Sequence, residues 1–300
     1  MNEFDMIRQY FQPLTMGKVE LNNDAAILDI PETHNLIIST DTLNAGTHFI
    51  PNASPANIAH KALRTNISDI YAMGAKPYAY QLSLAFPERP TDQWFTEFTT
   101  ALLKDQTQYS LFCSGGDTTS INGPLSISIT IMGLAEKGTS YTRSGAQNGD
   151  NILLSGPVGD AYIGLQILQK KLTTKDDDYF INQYYKPEIT PITSTHINAA
   201  VDISDGLIAD LGHIATASNI QAKIQLKNIP LSPQAQKLNL PIESLLTGGD
   251  DYKLLLAASP NHTIEGTTII GQFKTGTPTV QLHDKTGQII PTKQTGWSHF

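Results

Sequence analysis

Apolar positions along this chain alternate between two periods. Leu36-Ile37-Ile38-Ser39 is a short apolar run that predicts a strand ending at the polar Ser39-Thr40-Asp41. Ser54-Pro55 predicts a helix start, with Ser as N-cap and Pro at the first helical position. Ile58, Ala62, Leu63, Ile67 and Ile70 then recur at helical spacing, and Gly74 is the predicted stop. Asn66 and Asp69, three apart, share a face near the C-terminal end of that helix. Tyr78 to Ala85 reads as a strand. Thr91 is the predicted cap of a second helix that buries Phe95, Phe98 and Leu102. Leu125 to Ile131 alternates with period two, as a half-buried strand does.

The segment Glu136 to Gly149 is richer in Gly, Ser and Thr, and the domain boundary is expected there, giving domains 1–137 and 138–300. A second set follows. It comprises a strand from Asn151 to Ser155, a turn at Gly156-Pro157-Val158-Gly159, and a helix from Asp160 to about Lys170. Ala199 to Ile203 is a predicted strand, Leu207 to Ala217 a helix, and Lys253 to Ala257 a strand. Strands and helices alternate in both halves, so two α/β or α+β domains are expected.

Composition narrows the function classes. The chain has 300 residues, 40% of them hydrophobic, and a net charge of −8. That is enough apolar content for a real core, and the acidic balance makes nucleic acid an unexpected partner. A single cysteine, Cys113, excludes a disulfide framework. The first thirty residues carry no uninterrupted apolar segment, and no run approaches about 18 apolar residues. A cytoplasmic protein without membrane contact is expected.

The candidate chemistry lies in recurrent aspartates. Ser39-Thr40-Asp41, Asn66-Ile67-Ser68-Asp69, Gly115-Gly116-Asp117-Thr118-Thr119, Asp202-Ile203-Ser204-Asp205-Gly206 and Gly248-Gly249-Asp250-Asp251 each place Asp beside a hydroxyl, an amide or a glycine. Asp24, in Asn22-Asn23-Asp24, is a sixth candidate. Carboxylate and hydroxyl oxygens are hard ligands suited to magnesium and the phosphates it bridges. Each motif has a competing structural reading. Ser39-Thr40-Asp41 fits a capped strand end, and Gly115-Gly116-Asp117 fits a turn between strands. Asp69 fits a surface residue late in a helix, although the macrodipole disfavours an anion there. Asp202 and Ser204 fall on one side of an extended backbone, and Asp205 fits an N-cap for the helix near Leu207. Gly156 to Asp160 resembles a phosphate-cradling turn but matches neither the P-loop nor the dinucleotide fingerprint, and a structural role is preferred. Asp176-Asp177-Asp178 reads as a solvated charge run. No activated nucleophile, Walker A or protein-kinase motif is present.

In this order the motifs resemble the thiamine-monophosphate kinase family, within the aminoimidazole ribonucleotide synthetase superfamily that uses ATP without a P-loop. Lys61-Ala62-Leu63, Ala72-Met73-Gly74-Ala75, Thr142-Arg143-Ser144-Gly145-Ala146 and Gly296-Trp297-Ser298-His299-Phe300 extend the match over nearly the whole chain. The resemblance implies an N-terminal α/β domain that dimerises through its sheet and a C-terminal α+β domain that completes the substrate site. It implies direct in-line transfer of the ATP γ-phosphate to thiamine monophosphate, with several Mg²⁺ ions, in a homodimer. Asp24, Ser39, Thr40, Asp41, Asp69, Asp117, Asp202 and Asp205 would hold metal, with Asp69, Asp117 and Asp205 central to catalysis. Tyr109, Gly116, Asp117, Arg143 and Ser204 would contact ATP, and His48, Asp250 and Trp297 thiamine monophosphate. Three positions depart from the family pattern: Asn23 stands for an Asp, Asp250 for a Glu, and Lys253 for a Glu. The alternatives are another activity of the superfamily, such as an aminoimidazole ribonucleotide synthetase-like one, and a non-catalytic nucleotide-binding regulator.

Overall fold

The computed structural model describes residues 3–21, 23–291 and 296–297. Asn22 and Ser298-His299-Phe300 lie outside the described residues. The chain forms two compact units, Met1–Ile70 with Ala75–Gly138, and Tyr71–Gly74 with Thr139–Phe300.

The first unit opens with a short helix, α1 (Glu3–Met6), and continues through β1 (His34–Asn44), α2 (Pro55–Ala72) and β2 (Lys76–Phe86). It ends with α3 (Asp92–Tyr109), β3 (Phe112–Ser120) and β4 (Ser126–Glu136). The four strands form one sheet in the order β1-β4-β2-β3, antiparallel except for the β2–β3 pair. Local chemistry starts both long helices. Ser54 accepts from the Asn57 amide ahead of Pro55, and Thr91 accepts from the Trp94 amide at 3.1 Å. The helices cover one face of the sheet. Phe86 packs edge-on against Trp94 and Phe95, with centroids 5.1 and 5.8 Å apart. The opposite face carries hydroxyl pairs, Thr40 with Thr130 and Thr42 with Ser128.

Two sequence expectations change here. Ser39-Thr40-Asp41 lies in the middle of β1, because β4 pairs with the whole strand from His34↔Glu136 to Asn44↔Ser126. Gly115-Gly116-Asp117 lies inside β3 and makes no turn. Gly116 is needed there because a Cβ would stand 1.9 Å from the Leu82 carbonyl oxygen of β2.

A buried ion cluster joins α2 to α3. Asp105 is fully buried and accepts from His60 Nδ1 at 2.7 Å, Arg64 Nε at 3.1 Å and an Arg64 terminal nitrogen at 2.8 Å. Burial alone would raise the Asp105 carboxyl. Hydrogen bonds from His60 and Arg64, with their charges, outweigh burial and hold it below its ordinary 3.8.

The second unit contains β5 (Asn151–Leu154), α4 (Asp160–Leu168), α5 (Asp177–Tyr185), β6 (Ile197–Asp202), α6 (Leu207–Ala217) and β7 (Gln221–Gln225). Next come α7 (Pro233–Gln236), α8 (Ile242–Thr247), β8 (Leu254–Ala258), β9 (Thr268–Lys274), β10 (Val280–His283) and β11 (Ile289–Ile290). Its sheet has seven strands in the order β11-β10-β7-β9-β5-β8-β6. Apolar residues of β5, β6 and β8 pack with Leu207, Leu211 and Ile214 of α6, while Ile163, Phe180 and Leu245 form a smaller cluster among α4, α5 and α8. Among the described residues no helix is long and apolar enough to cross a membrane.

Two stability outcomes follow from the first unit. Asp105→Asn leaves Arg64 without its buried counter-charge and should cost about 3 kcal/mol at pH 7 in urea unfolding. Because the folded pKa of Asp105 is lowered, its contribution is present above 3.8 and is lost as pH falls through the folded value, so the gap from wild type should close in acid. Gly116→Ala forces β3 away from β2 and should cost about 2 kcal/mol or more, read as a lowered thermal midpoint.

Candidate active site

In the first unit the long β1 and the end of α2 bring three of the named residues together. Ser39 Oγ donates to Asp69 Oδ2 at 2.5 Å. Two residues on, on the same side of β1, burial pushes the Asp41 carboxyl up to about 6, with the Asp69 charge adding to the rise. Asn66, one turn before Asp69, fixes this arrangement. Its side-chain carbonyl accepts from the Asp41 amide at 3.2 Å, and its amide donates to the Ala62 carbonyl at 2.9 Å. Asp69 is therefore no free surface residue. Two carboxylates and a hydroxyl converge here as hard oxygen donors, and a divalent cation would offset the burial and the Asp69 charge that raise Asp41.

Thr40 belongs to the same motif but not to this cluster. Strand alternation turns its hydroxyl to the opposite face, 2.9 Å from Thr130, so only its backbone is left to join a metal on the Asp69 side.

Asp24, Gly116 and Asp117 meet elsewhere. They line one cavity of about 370 Å³, together with Asn23 and Cys113. Burial pushes the Cys113 thiol up to about 11, so it supplies no thiolate near neutral pH. Within one copy of this unit the cavity is remote from the Asp69 cluster. The row Asp41–Ile129–Leu82–Gly116 crosses the sheet from edge to edge, three strand spacings or about 14 Å. Asp117, one residue past Gly116, faces away from the Asp41 side.

His48 sits in a tight turn after β1. Its Nδ1 accepts from the Asn44 amide at 3.0 Å, which puts the ring proton of the neutral form on Nε2. Tyr109 ends α3, buried, with the Arg64 guanidinium 5.4 Å above its ring.

In the second unit two loops run against each other beyond β6 and before β8. The Asp250 amide donates to the Ser204 carbonyl at 2.9 Å and the Tyr252 amide to the Ile203 carbonyl at 2.8 Å. Gly249, at φ +71, allows this approach, since a Cβ would stand 2.6 Å from the Ser204 oxygen. Trp297 joins through its amide, 3.0 Å from the Asp205 carbonyl, with its side chain 56% exposed. These contacts bring Ser204, Asp205, Asp250 and Trp297 together. Arg143 is exposed, and its charge reaches Asp210 of α6.

Two expectations about this segment are corrected. Asp202 is buried and Ser204 exposed, because β6 stops at Asp202 and the chain bends before Ser204. Asp205 does not cap α6. Gly206 occupies the cap position, and Asp210 reaches back from the first turn to accept from the Asp205 and Gly206 amides, each at 3.0 Å. Burial, opposed by the Gly206 amide and supported by the Asp205 charge, pushes Asp210 up to about 7. Asp205, Asp210 and His213 hold their ligand atoms within 4.8 Å of one another. The sequence reading missed Asp210 and His213, whose signal was an i, i+3 pair on a helix that starts beside Asp205.

Residues 22–135 match the family model described as AIR synthase related protein, N-terminal domain. The thiamine-monophosphate kinase of Escherichia coli (strain K12) is 40% identical over 266 residues, covering 84% of this chain and 81% of its own. The crystal structure of the thiamine-monophosphate kinase from Stenotrophomonas maltophilia K279a is 31% identical, with a TM-score of 0.83 over 97% of this chain and 98% of that chain. AaThiL complexed with AMPPCP and TMP is 28% identical, with a TM-score of 0.79 over 99% of this chain and 97% of that chain. The fold is that of the aminoimidazole ribonucleotide synthetase-like proteins, and the chain belongs to the thiamine-monophosphate kinase family.

Proposed function

We propose that this chain transfers the γ-phosphate of ATP directly to thiamine monophosphate, giving thiamine diphosphate and ADP, with magnesium. The observation that carries the reading is the Ser39–Asp69–Asp41 cluster, in a chain whose relatives are kinases of this substrate and include one solved with AMPPCP and TMP. The acceptor is itself a phosphate, largely dianionic at pH 7 with a second pKa of about 6, and needs little help from a base. Its obstacle is approach to another polyanion. Bound magnesium would neutralise that charge and stabilise the transferring phosphoryl group.

In the first unit we assign Asp69, with Asp41, Ser39 and the Thr40 backbone, to magnesium, and Asp24 and Asp117 to magnesium at the cavity. Gly116 and Tyr109 are assigned to ATP and His48 to thiamine monophosphate. In the second unit Asp202 and Asp205 are assigned to magnesium, Arg143 and Ser204 to ATP, and Asp250 and Trp297 to the organic part of thiamine monophosphate. An indole suits a cationic thiazolium. Asn23 offers an amide oxygen where the family pattern has a carboxylate, so one anionic ligand fewer is available.

We also assign a homodimer formed through the first unit's sheet. The hydroxyl-lined face includes Ile38, 59% exposed, and the two acidic clusters lie at opposite edges of that sheet. A second copy laid across the face would set one copy's edge beside the other's.

Purified protein given ATP, Mg²⁺ and thiamine monophosphate should form thiamine diphosphate, and formation should stop with excess EDTA. The kcat/KM for thiamine should be lower by a factor of about 10⁴, because a site built for a phosphate leaves its partners unpaired when that group is missing. Comparable values for the two acceptors would sink the assignment. Asp69→Asn keeps volume and removes one anion. It should lower kcat by roughly 100-fold or more with folding intact, and added Mg²⁺ should restore only part of the loss. Near-normal turnover by the folded variant would remove Asp69 from the metal site.

A further inference from the structure

The start of α6 gathers three donor side chains in the second unit. Asp210 and His213, three apart on the helix, share a face, and Asp205 lies just before the Gly206 cap. Their ligand atoms lie within 4.8 Å of one another. Tetrahedral ligands about 2.1 Å from one ion stand about 3.4 Å apart, so small side-chain movements let these three share an ion.

Unused bonding capacity marks the cluster out. Asp210 is 2% exposed, and its Oδ2 accepts the Asp205 and Gly206 amides, each at 3.0 Å. Its Oδ1 accepts no hydrogen bond among the described residues, so this buried side chain keeps one oxygen open to a ligand. The Asp205 carboxylate and the exposed His213 ring likewise make no hydrogen bond or ion pair among the described residues. Arg143, whose charge reaches Asp210, is exposed and forms an ion pair with neither carboxylate. The two amides also hold the Asp210 carboxylate in place, as outer-shell partners do for a metal ligand.

We propose that Asp205, Asp210 and His213 form a site for one first-row transition divalent cation of the Mn²⁺, Co²⁺ and Zn²⁺ class. The proposal rests on the assignment of Asp205 to metal and adds two ligands to it. Carboxylates alone suit Mg²⁺, a hard ion that takes oxygen donors. The imidazole nitrogen of His213 shifts the preference of the same position towards borderline cations. The site borders the residue assigned to the organic part of the acceptor. Gly296, ahead of Trp297, lies against it, where a Cβ would stand 2.6 Å from Ala209 Cβ and 2.7 Å from the Asp205 carbonyl oxygen.

The test titrates the substrate-free protein with Co²⁺ in excess Mg²⁺, which fills sites built from oxygen alone. The pH is set above the Asp210 value of about 7, so that both carboxylates are available. Calorimetry and the visible absorption of bound Co²⁺ give the affinity. Wild type should bind Co²⁺ under these conditions. His213→Ala should weaken binding at least about tenfold, the least that loss of even an outer-shell partner usually costs. Mg²⁺ affinity, measured without Co²⁺, should fall less. No Co²⁺ binding by wild type, equal Co²⁺ affinity in the variant, or equal losses for the two ions would overturn the proposal. If His213→Ala fails to fold, the His213 ring-proton signals of wild type decide. Their broadening by substoichiometric Co²⁺ ahead of the other histidines supports the site, and undisturbed signals overturn it. The titration needs no substrate and no turnover. Wild type that forms no thiamine diphosphate would overturn the functional assignment, and the Co²⁺ result would still decide the cation site.

Discussion

Carboxylates packed against one another repel, and this protein places three such pairs where burial makes the repulsion strong. Each is compensated differently. Asp69 takes the Ser39 hydroxyl, and burial together with the Asp69 charge leaves Asp41 raised to about 6. Asp205 and Asp210 meet at the start of α6, where Asp210 takes two backbone amides. Asp160 and Asp251 meet at the start of α4, where an amide and two hydroxyls donate to them. All three are written in the sequence as Asp near Gly or Ser.

The first unit's sheet converts strand period into function. Alternation along β1 sends Ser39 and Asp41 towards α2 and turns Thr40 and Thr42 outwards to pair with Thr130 and Ser128. The same strand thus builds half of an acidic cluster on one face and a polar, open surface on the other. Gly116 lets β3 sit hard against β2, which brings Asp117 to the cavity it shares with Asp24. Underneath, Asp105 ties α2 to α3, so the helix that supplies Asn66 and Asp69 has a fixed seat.

Much of this was legible in the chain because it depends on neighbours in sequence. The caps at Ser54 and Thr91, the buried stripe of α3 and the period-two run of β4 are local signals, and the structure bears them out. The motifs also sufficed to identify the family, because spacing and order survive without knowledge of the fold. The length of β1 was not legible, since what extends a strand is its partner, here β4 along eleven residues.

What the tertiary structure alone decided is which of these aspartates face one another. Asp69 meets Ser39 across thirty positions of sequence, and Asp251 meets Gly159 across ninety-two. A carboxylate's charge state depends on its desolvation and on its nearest partners, and both are set by packing. The sequence by itself determined the elements, their order and the oxygen-rich chemistry of the motifs. Packing decided that Asp210 rather than Asp205 serves the amides before α6. It also decided that Thr40 turns from its own motif, and that Asp251 fills the turn before α4.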